Sequence, residues 1–234
     1  MNRRRVGIVT GANRGIGYEL ARQLAATGVT VVTAARDAAA ATATAEQLQG
    51  EGLDVHPVHL DITDQASIDT AIVAVIACFG RIDVLVNNAG IAIDARVPAA
   101  TPDLATAHRT VDTNLFGTWR CCTAVIPHMT AAGYGRIVNL TSHMSLSAQL
   151  RAGSPSYRIS KAAINTLTRI LADELAGTGI LINAASPGQV QTRIGPKAAS
   201  RTPAEAAKGL LWLTDLPADG PTGRLFYEHD ELTW

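Results

Sequence analysis

Tyr157 and Lys161 stand four residues apart in the run Ser156-Tyr-Arg-Ile-Ser-Lys-Ala-Ala. On a helix, positions i and i+4 share a face, so a phenol would sit beside an ammonium. That pairing suits proton transfer, but alone it is a weak signal. Upstream, Thr10-Gly-Ala-Asn-Arg-Gly-Ile-Gly17 spaces Gly11, Gly15 and Gly17 as G-x3-G-x-G after the apolar run Val6-Gly-Ile-Val. Glycines there permit tight turning and close approach of backbone amides to a pyrophosphate, and a following helix adds its positive end. Together the two signals imply proton transfer beside a bound dinucleotide.

Further residues fall where such a nucleotide would lie. Asn13, Arg14 and Ile16 complete the glycine loop. The second apolar run ends Thr33-Ala-Ala-Arg36-Asp37, where the adenine ribose is met. A carboxylate there binds a 2′-hydroxyl and repels a 2′-phosphate; an arginine does the reverse. Arg36, with Arg14 as a second cation, favours NADP(H) over NAD(H), and Asp37 pulls the other way. Asp61 and Ile62 follow the third run. Asp61 either accepts from the adenine amine or caps the next helix. Asn87, Asn88, Ala89 and Gly90 end the fourth run, where small residues let a cofactor lie against backbone. Asn87 reads equally well as a structural sheet-edge residue.

The bulk numbers narrow the class. Apolar residues make up 47% of 234, ample for one large core. Lys+Arg and Asp+Glu balance at 20 each, so no net charge marks a nucleic-acid or acidic-membrane binder. Arg3, Arg4 and Arg5 read as a solvated basic start. Cys78, Cys121 and Cys122 have neither disulfide nor zinc spacing and are expected to be reduced and mostly buried. No HExxH-type or paired-carboxylate pattern implies a catalytic metal. No leader and no membrane-length apolar run is evident, so a soluble, cytoplasmic protein is expected.

The elements that must position these residues alternate. Strands are expected at 5–10, 30–35, 54–59, 84–87, 135–140, 181–186 and 225–227. Helices are expected at 15–27, 38–50, 64–79, 102–129, 156–175 and 203–213. Strands separated by helices imply a single α/β domain over 1–234: a Rossmann-type, doubly wound, seven-stranded, mostly parallel sheet with helices on both faces. In such sheets ligands bind at the carboxyl ends of the strands, just where each motif falls.

The segments Thr10 to Gly17 and Asn87 to Gly90, with Asp61, Asn114, Ser142, Tyr157, Lys161 and the run Pro187-Gly-Gln-Val-Gln-Thr192, resemble the classical short-chain dehydrogenase/reductase family over nearly the whole chain. The arginines and Thr222-Gly-Arg-Leu-Phe-Tyr are similar to its NADPH-dependent carbonyl reductase branch. The resemblance implies an enzyme that reduces a ketone or aldehyde to an alcohol, reversibly. Tyr157 would be the general acid/base and Lys161 would hold the nicotinamide ribose. Ser142 would orient the carbonyl, and Asn114 would hold a water of the proton relay. Pro187, Gly188, Val190 and Thr192 would line the nicotinamide. A free phenol titrates near 10. A neighbouring ammonium and the cationic ring of an oxidised cofactor are expected to lower it by about 2–3.

Ser142 ends the fifth strand but lies 15 residues before Tyr157, about two more than is common in the family, and Ser145 lies 12 before it. Strand register favours Ser142, with Ser145 as competitor. His143, Met144, Gln149, Gln189 and Arg193 are expected near the substrate. The short loop 193–202 implies an open pocket for varied carbonyl or alcohol substrates. A homodimer or a monomer is expected. The alternatives are an NAD-linked alcohol dehydrogenase and a non-catalytic NADP-sensing regulator.

Overall fold

A computed structural model describes residues 4–195 and 198–233. Arg3 and the middle of the 193–202 loop therefore lie outside the described residues. The elements run β1 (Val6–Thr10), α1 (Gly15–Ala26), β2 (Thr30–Ala35), α2 (Ala38–Gly50), β3 (Val55–His59), α3 (Gln65–Phe79) and β4 (Val84–Asn87). Then follow α4 (Leu104–Val111), a π-helical turn (Asp112–Phe116), α5 (Gly117–Ala132), β5 (Gly135–Leu140) and α6 (Pro155–Glu174). β6 (Ile180–Ala185), α7 (Pro203–Leu211), β7 (Leu225–Tyr227) and β8 (Asp230–Glu231) complete the chain.

The strands form one sheet of order β3-β2-β1-β4-β5-β6-β7-β8. Neighbours pair in parallel from β3 through β7, and β8 adds an antiparallel edge to β7. The sheet thus has eight strands, one more than expected. β8 is two exposed residues, too short to show a pattern in sequence. Every residue of β1, β2, β5 and β6 is buried, because helices cover both faces. One core cluster joins the sheet to α3, α5 and α6 through Ile68, Val125, Met129 and Leu171. The other joins it to α1, α2 and α7 through Leu20, Leu24, Leu48 and Leu210. Pro57 is tolerated in β3 because β3 is an edge strand.

Side chains cap most helix starts. Asp37, Asp64 and Asp103 accept from backbone amides at the starts of α2, α3 and α4, and Thr202 with Glu205 forms a capping box on α7. α1 and α6 lack a capping side chain at their own N-cap residues, Arg14 and Ser154.

The expected helix over 102–129 is divided. Asp103 caps α4, which starts two residues later than expected, and the backbone widens into the π turn at Asp112–Phe116 before α5 resumes. The widened turn carries Asn114, which is fully buried and bonded to a distant loop. Arg5 is likewise not a solvated start. Its guanidinium donates to the Tyr134 hydroxyl and the Thr214 carbonyl and pairs with Asp215 at 2.7 Å. Cys78 is exposed, whereas Cys121 and Cys122 are buried as expected. Among the described residues no helix is long and apolar enough to cross a membrane.

Candidate active site

The order of strands reverses between β1 and β4, and the sequence motifs gather at the carboxyl ends around that point. Gly11 and Gly15 adopt φ of 63° and 57°, a region that favours glycine. A Cβ on Gly17 would fall onto the Gly11 carbonyl oxygen and Asn88 Nδ2. Asn88 stitches the loop down: Nδ2 donates to the carbonyls of Thr10 and Gly11, at 2.9 and 3.1 Å. Its own N–H and that of Ala89 both donate to Thr10 Oγ1. The first amides of α1 therefore open onto a backbone cradle with no side chain capping them. Such orphan donors at a positive helix end fit a pyrophosphate. Thr192 lies against this loop, since a Cβ on Gly15 would stand 3.6 Å from its Cγ2. Its Oγ1 accepts from Gly195 N, and its N–H donates to Val190 O.

Arg14, in the loop, and Arg36, just past the end of β2, are both exposed. Asp37 Oδ1 accepts from Ala40 N–H, as the cap of α2. Asp61 Oδ1 accepts from the N–H and hydroxyl of Thr63, in a local turn that ends before Asp64, the true cap of α3. Burial works to raise the Asp61 carboxyl, and the Thr63 hydrogen bonds and the charge of Arg36 outweigh it, leaving it below its ordinary value. Ile62 is buried, and a Cβ on Gly117 would press on it at 2.8 Å. Asn87 is structural: Nδ2 donates to Asn139 Oδ1 and Cys122 Sγ inside the core.

On α6, Lys161 is 6% exposed and donates from Nζ to Leu140 O at 2.8 Å. Burial pushes its pKa down to about 8. Nζ lies 5.8 Å from the centroid of the Tyr157 ring. The phenol of Tyr157 lies near the Ser142 side chain, whose hydroxyl oxygen accepts from Met144 N–H. Burial raises the phenol above its ordinary value, and the Ser142 hydroxyl offsets only part of that rise. The expected depression by Lys161 and an oxidised cofactor together is not seen in the protein by itself. Ser145, the competitor, is engaged elsewhere. It is buried, donates to Ser142 O and accepts from Asn165 Nδ2. Asn114 is placed beside this group: Oδ1 accepts from Ile91 N, and Nδ2 donates to Ile91 O and Ser160 Oγ, which leaves one lone pair on Oδ1.

On the substrate side, His143 Nδ1 is 2.6 Å from Ser186 Oγ, and its ring meets the edge of Tyr227. Burial, then the charge of Arg201, holds this imidazole below its ordinary pKa. Met144 is half-buried, whereas Gln149, Gln189 and Arg193 are exposed. Gln191 ties the described part of the 193–202 loop to its own base, with N–H to Arg201 O and Nε2 to Ala199 O. Pro187 O accepts from Arg201, and Gly188 takes φ of 77° against Tyr227.

Two residues escape sequence reasoning. Asp94, 1% exposed, accepts from the N–H groups of Ser156 and Tyr157. Arg158, 7% exposed, donates to the carbonyls of Gly153, Met144 and Gln149 and so pins the lengthened loop between Ser142 and α6. Neither has a local motif; an arginine beside a site tyrosine was the only available signal.

A family model described as short chain dehydrogenase matches residues 5–202. Carbonyl reductase (NADPH) 1 from Macaca fascicularis is 34% identical over 278 aligned positions, covering 98% of each chain. That alignment is longer than the 234 residues here, so the relative has segments this chain lacks. D-threitol dehydrogenase from Mycolicibacterium smegmatis is 37% identical, over 97% of this chain and 82% of its own. The structure of a gluconate 5-dehydrogenase from Burkholderia cenocepacia, in complex with NADP and tartrate, superposes with a TM-score of 0.86 at 28% identity, over 95% and 92% of the two chains.

Proposed function

The chain belongs to the short-chain dehydrogenase family of oxidoreductases, and on that premise we propose that it reduces a ketone or aldehyde to an alcohol with NADPH, Tyr157 acting as general acid. The observation that carries this reading is the pairing of Tyr157 with the buried Lys161, Nζ 5.8 Å from the ring centroid, near Ser142 and with the uncapped glycine loop at the same end of the sheet. NADPH, when bound, supplies the hydride. Its pyrophosphate would rest on the amides of Gly11 to Gly17, its 2′-phosphate against Arg36 and Arg14, and its nicotinamide end by Pro187, Gly188, Val190 and Thr192. The NADP-bound neighbour and the NADPH-named relative support the choice of cofactor.

The chain's own residues then handle the proton. Ser142 orients the carbonyl oxygen, and Tyr157 gives that oxygen its proton as the alkoxide charge develops. A phenol whose pKa is raised by burial stays protonated at neutral pH, the form an acid needs. Lys161 stabilises the tyrosinate left behind and meets the ribose. The reverse reaction, alcohol oxidation, uses the same atoms, and the resemblance to a threitol dehydrogenase keeps it as a second reading.

The test is reduced-cofactor consumption, with NADPH and NADH, against a panel of ketones, aldehydes and quinones. Turnover should be faster with NADPH, and Tyr157→Phe should lower it by at least about 100-fold while NADPH still binds. Preferred oxidation of polyols with NAD would replace the reading by its alternative. Unchanged turnover in Tyr157→Phe would overturn the mechanism.

A further inference from the structure

α6 carries Tyr157 in its first turn, yet its own start does nothing to cap it. Ser154, the N-cap residue, sits at φ 52°, ψ 49°, in the left-handed region, and its hydroxyl makes no capping bond. Pro155 has no N–H to offer. The first two amides of the helix are therefore those of Ser156 and Tyr157. Both donate to one oxygen, Asp94 Oδ2, at 2.6 and 3.2 Å. Asp94 comes from the loop after β4, 62 and 63 residues earlier. Its other oxygen, Oδ1, is buried with no hydrogen-bond partner, and no ion pair to Asp94 is found among the described residues. A buried carboxylate held only by two amides and a helix dipole is an expensive cap. A capping bond from the Ser154 hydroxyl itself would serve stability alone at less cost, and Ser154 makes none.

The placement of Asp94 suggests what that expense secures. The same loop begins at Gly90, where a Cβ would stand 3.6 Å from Lys161 Nζ. Ile91 is clamped on both its N–H and its carbonyl by Asn114, at 2.8 and 2.9 Å. Three residues on, Asp94 grips the N–H of Tyr157. Asn114 also donates to Ser160 Oγ, which in turn donates to the carbonyl of Tyr157. The backbone of the tyrosine is thus held at both its donor and its acceptor, and both grips lead back to residues 91 and 94. Asp94 itself is fixed by a turn, its carbonyl accepting from Val97 N–H, with Arg96 at φ 65°.

We propose that Asp94 is the positioning residue for Tyr157, setting the start of α6 and with it the place of the phenol. This inference rests on Tyr157 as the acid. The tests are Asp94→Ala, Asp94→Glu and Asp94→Asn, assayed well below each variant's melting temperature, with Tyr157→Phe alongside. A tertiary cap that only stabilises would lower the melting temperature and leave kcat unchanged at that assay temperature. A positioning residue should lower kcat about 10- to 100-fold in Asp94→Ala, with NADPH affinity within about twofold, since a shift near 1 Å is worth that much. Asp94→Glu keeps charge and acceptor but displaces the helix start, so it should also lose about 10-fold in kcat. Asp94→Asn keeps an acceptor oxygen in place and should return to within about threefold of the parent. If Asp94→Ala does not fold, Asp94→Glu decides. Parental kcat in every variant that folds, with Tyr157→Phe inactive, overturns the inference and spares the function. Full activity in Tyr157→Phe removes the function first.

Discussion

Lys161 is the residue whose protonation couples the site to folding. Burial lowers its pKa from 10.5 to about 8. Between those values the unfolded chain holds a proton that the folded chain has released, so stability from this group rises with pH across that window. Cys121 and Cys122 act in the opposite sense, because burial pushes both thiols up, the second to about 12, and the folded chain keeps protons that the unfolded one loses. Comparison with Lys161→Met isolates the lysine. From pH 7 to pH 10.5, the stability of the parent relative to Lys161→Met should improve by about 3 kcal/mol. Denaturant titrations of both proteins at several pH values measure it, and a flat difference would mean that the ammonium is not desolvated. Arg36 and Asp37 teach a related lesson about neighbours in sequence. Read as letters, the two oppose each other on cofactor choice; in the fold both are exposed, and Asp37 also caps α2 through Ala40 N–H.

At the scale of elements, the π turn is the piece that most depends on distant partners. Asn114→Leu would strand the N–H and carbonyl of Ile91 and leave the Ser160 hydroxyl with its bond to Tyr157 O alone. A loss on the order of 2–5 kcal/mol is expected, read as a lower denaturant midpoint with an unchanged slope. The dependence also explains what sequence could reveal. β1, the glycine loop and α1 were legible because one short stretch carries the apolar run, the positive-φ glycines and the helix. Tyr157 and Lys161 were legible because helical spacing is local. The break at Asp112–Phe116 was not, since its residues continue a helical pattern and the reason for widening lies at Ile91. Nor was Asp94, whose partners are 62 and 63 residues away. Ser142 against Ser145 fell between these cases. Strand register favoured Ser142, and the bonds of Ser145 to Ser142 O and Asn165 supply the physical reason.

At the scale of the whole molecule, the sheet separates two duties. Its carboxyl edge gathers the groups for chemistry, and its opposite edge is held by ionic and aromatic contacts. There Arg136, 1% exposed, lies 4.3 Å over the Tyr134 ring and donates to Leu216 O, while Asp83 receives Arg81 and Val6 N–H. The three thiols report on the integrity of this body. Native protein treated with an alkylating reagent should be modified at Cys78 alone, with Cys121 and Cys122 reacting only on unfolding. Peptide mass mapping follows each site, and early labelling of Cys121 would reveal local opening of α5. The remote cap on α6 bears finally on engineering by exchange of parts. Residues 155–174 look like a portable cassette, with tyrosine and lysine already spaced. Moved into a relative with no acceptor where Asp94 stands, the cassette would arrive with its first two amides bare and its phenol unaimed. The unit of inheritance for this activity is a pair of segments, and recombination points drawn between them would separate the acid from its anchor.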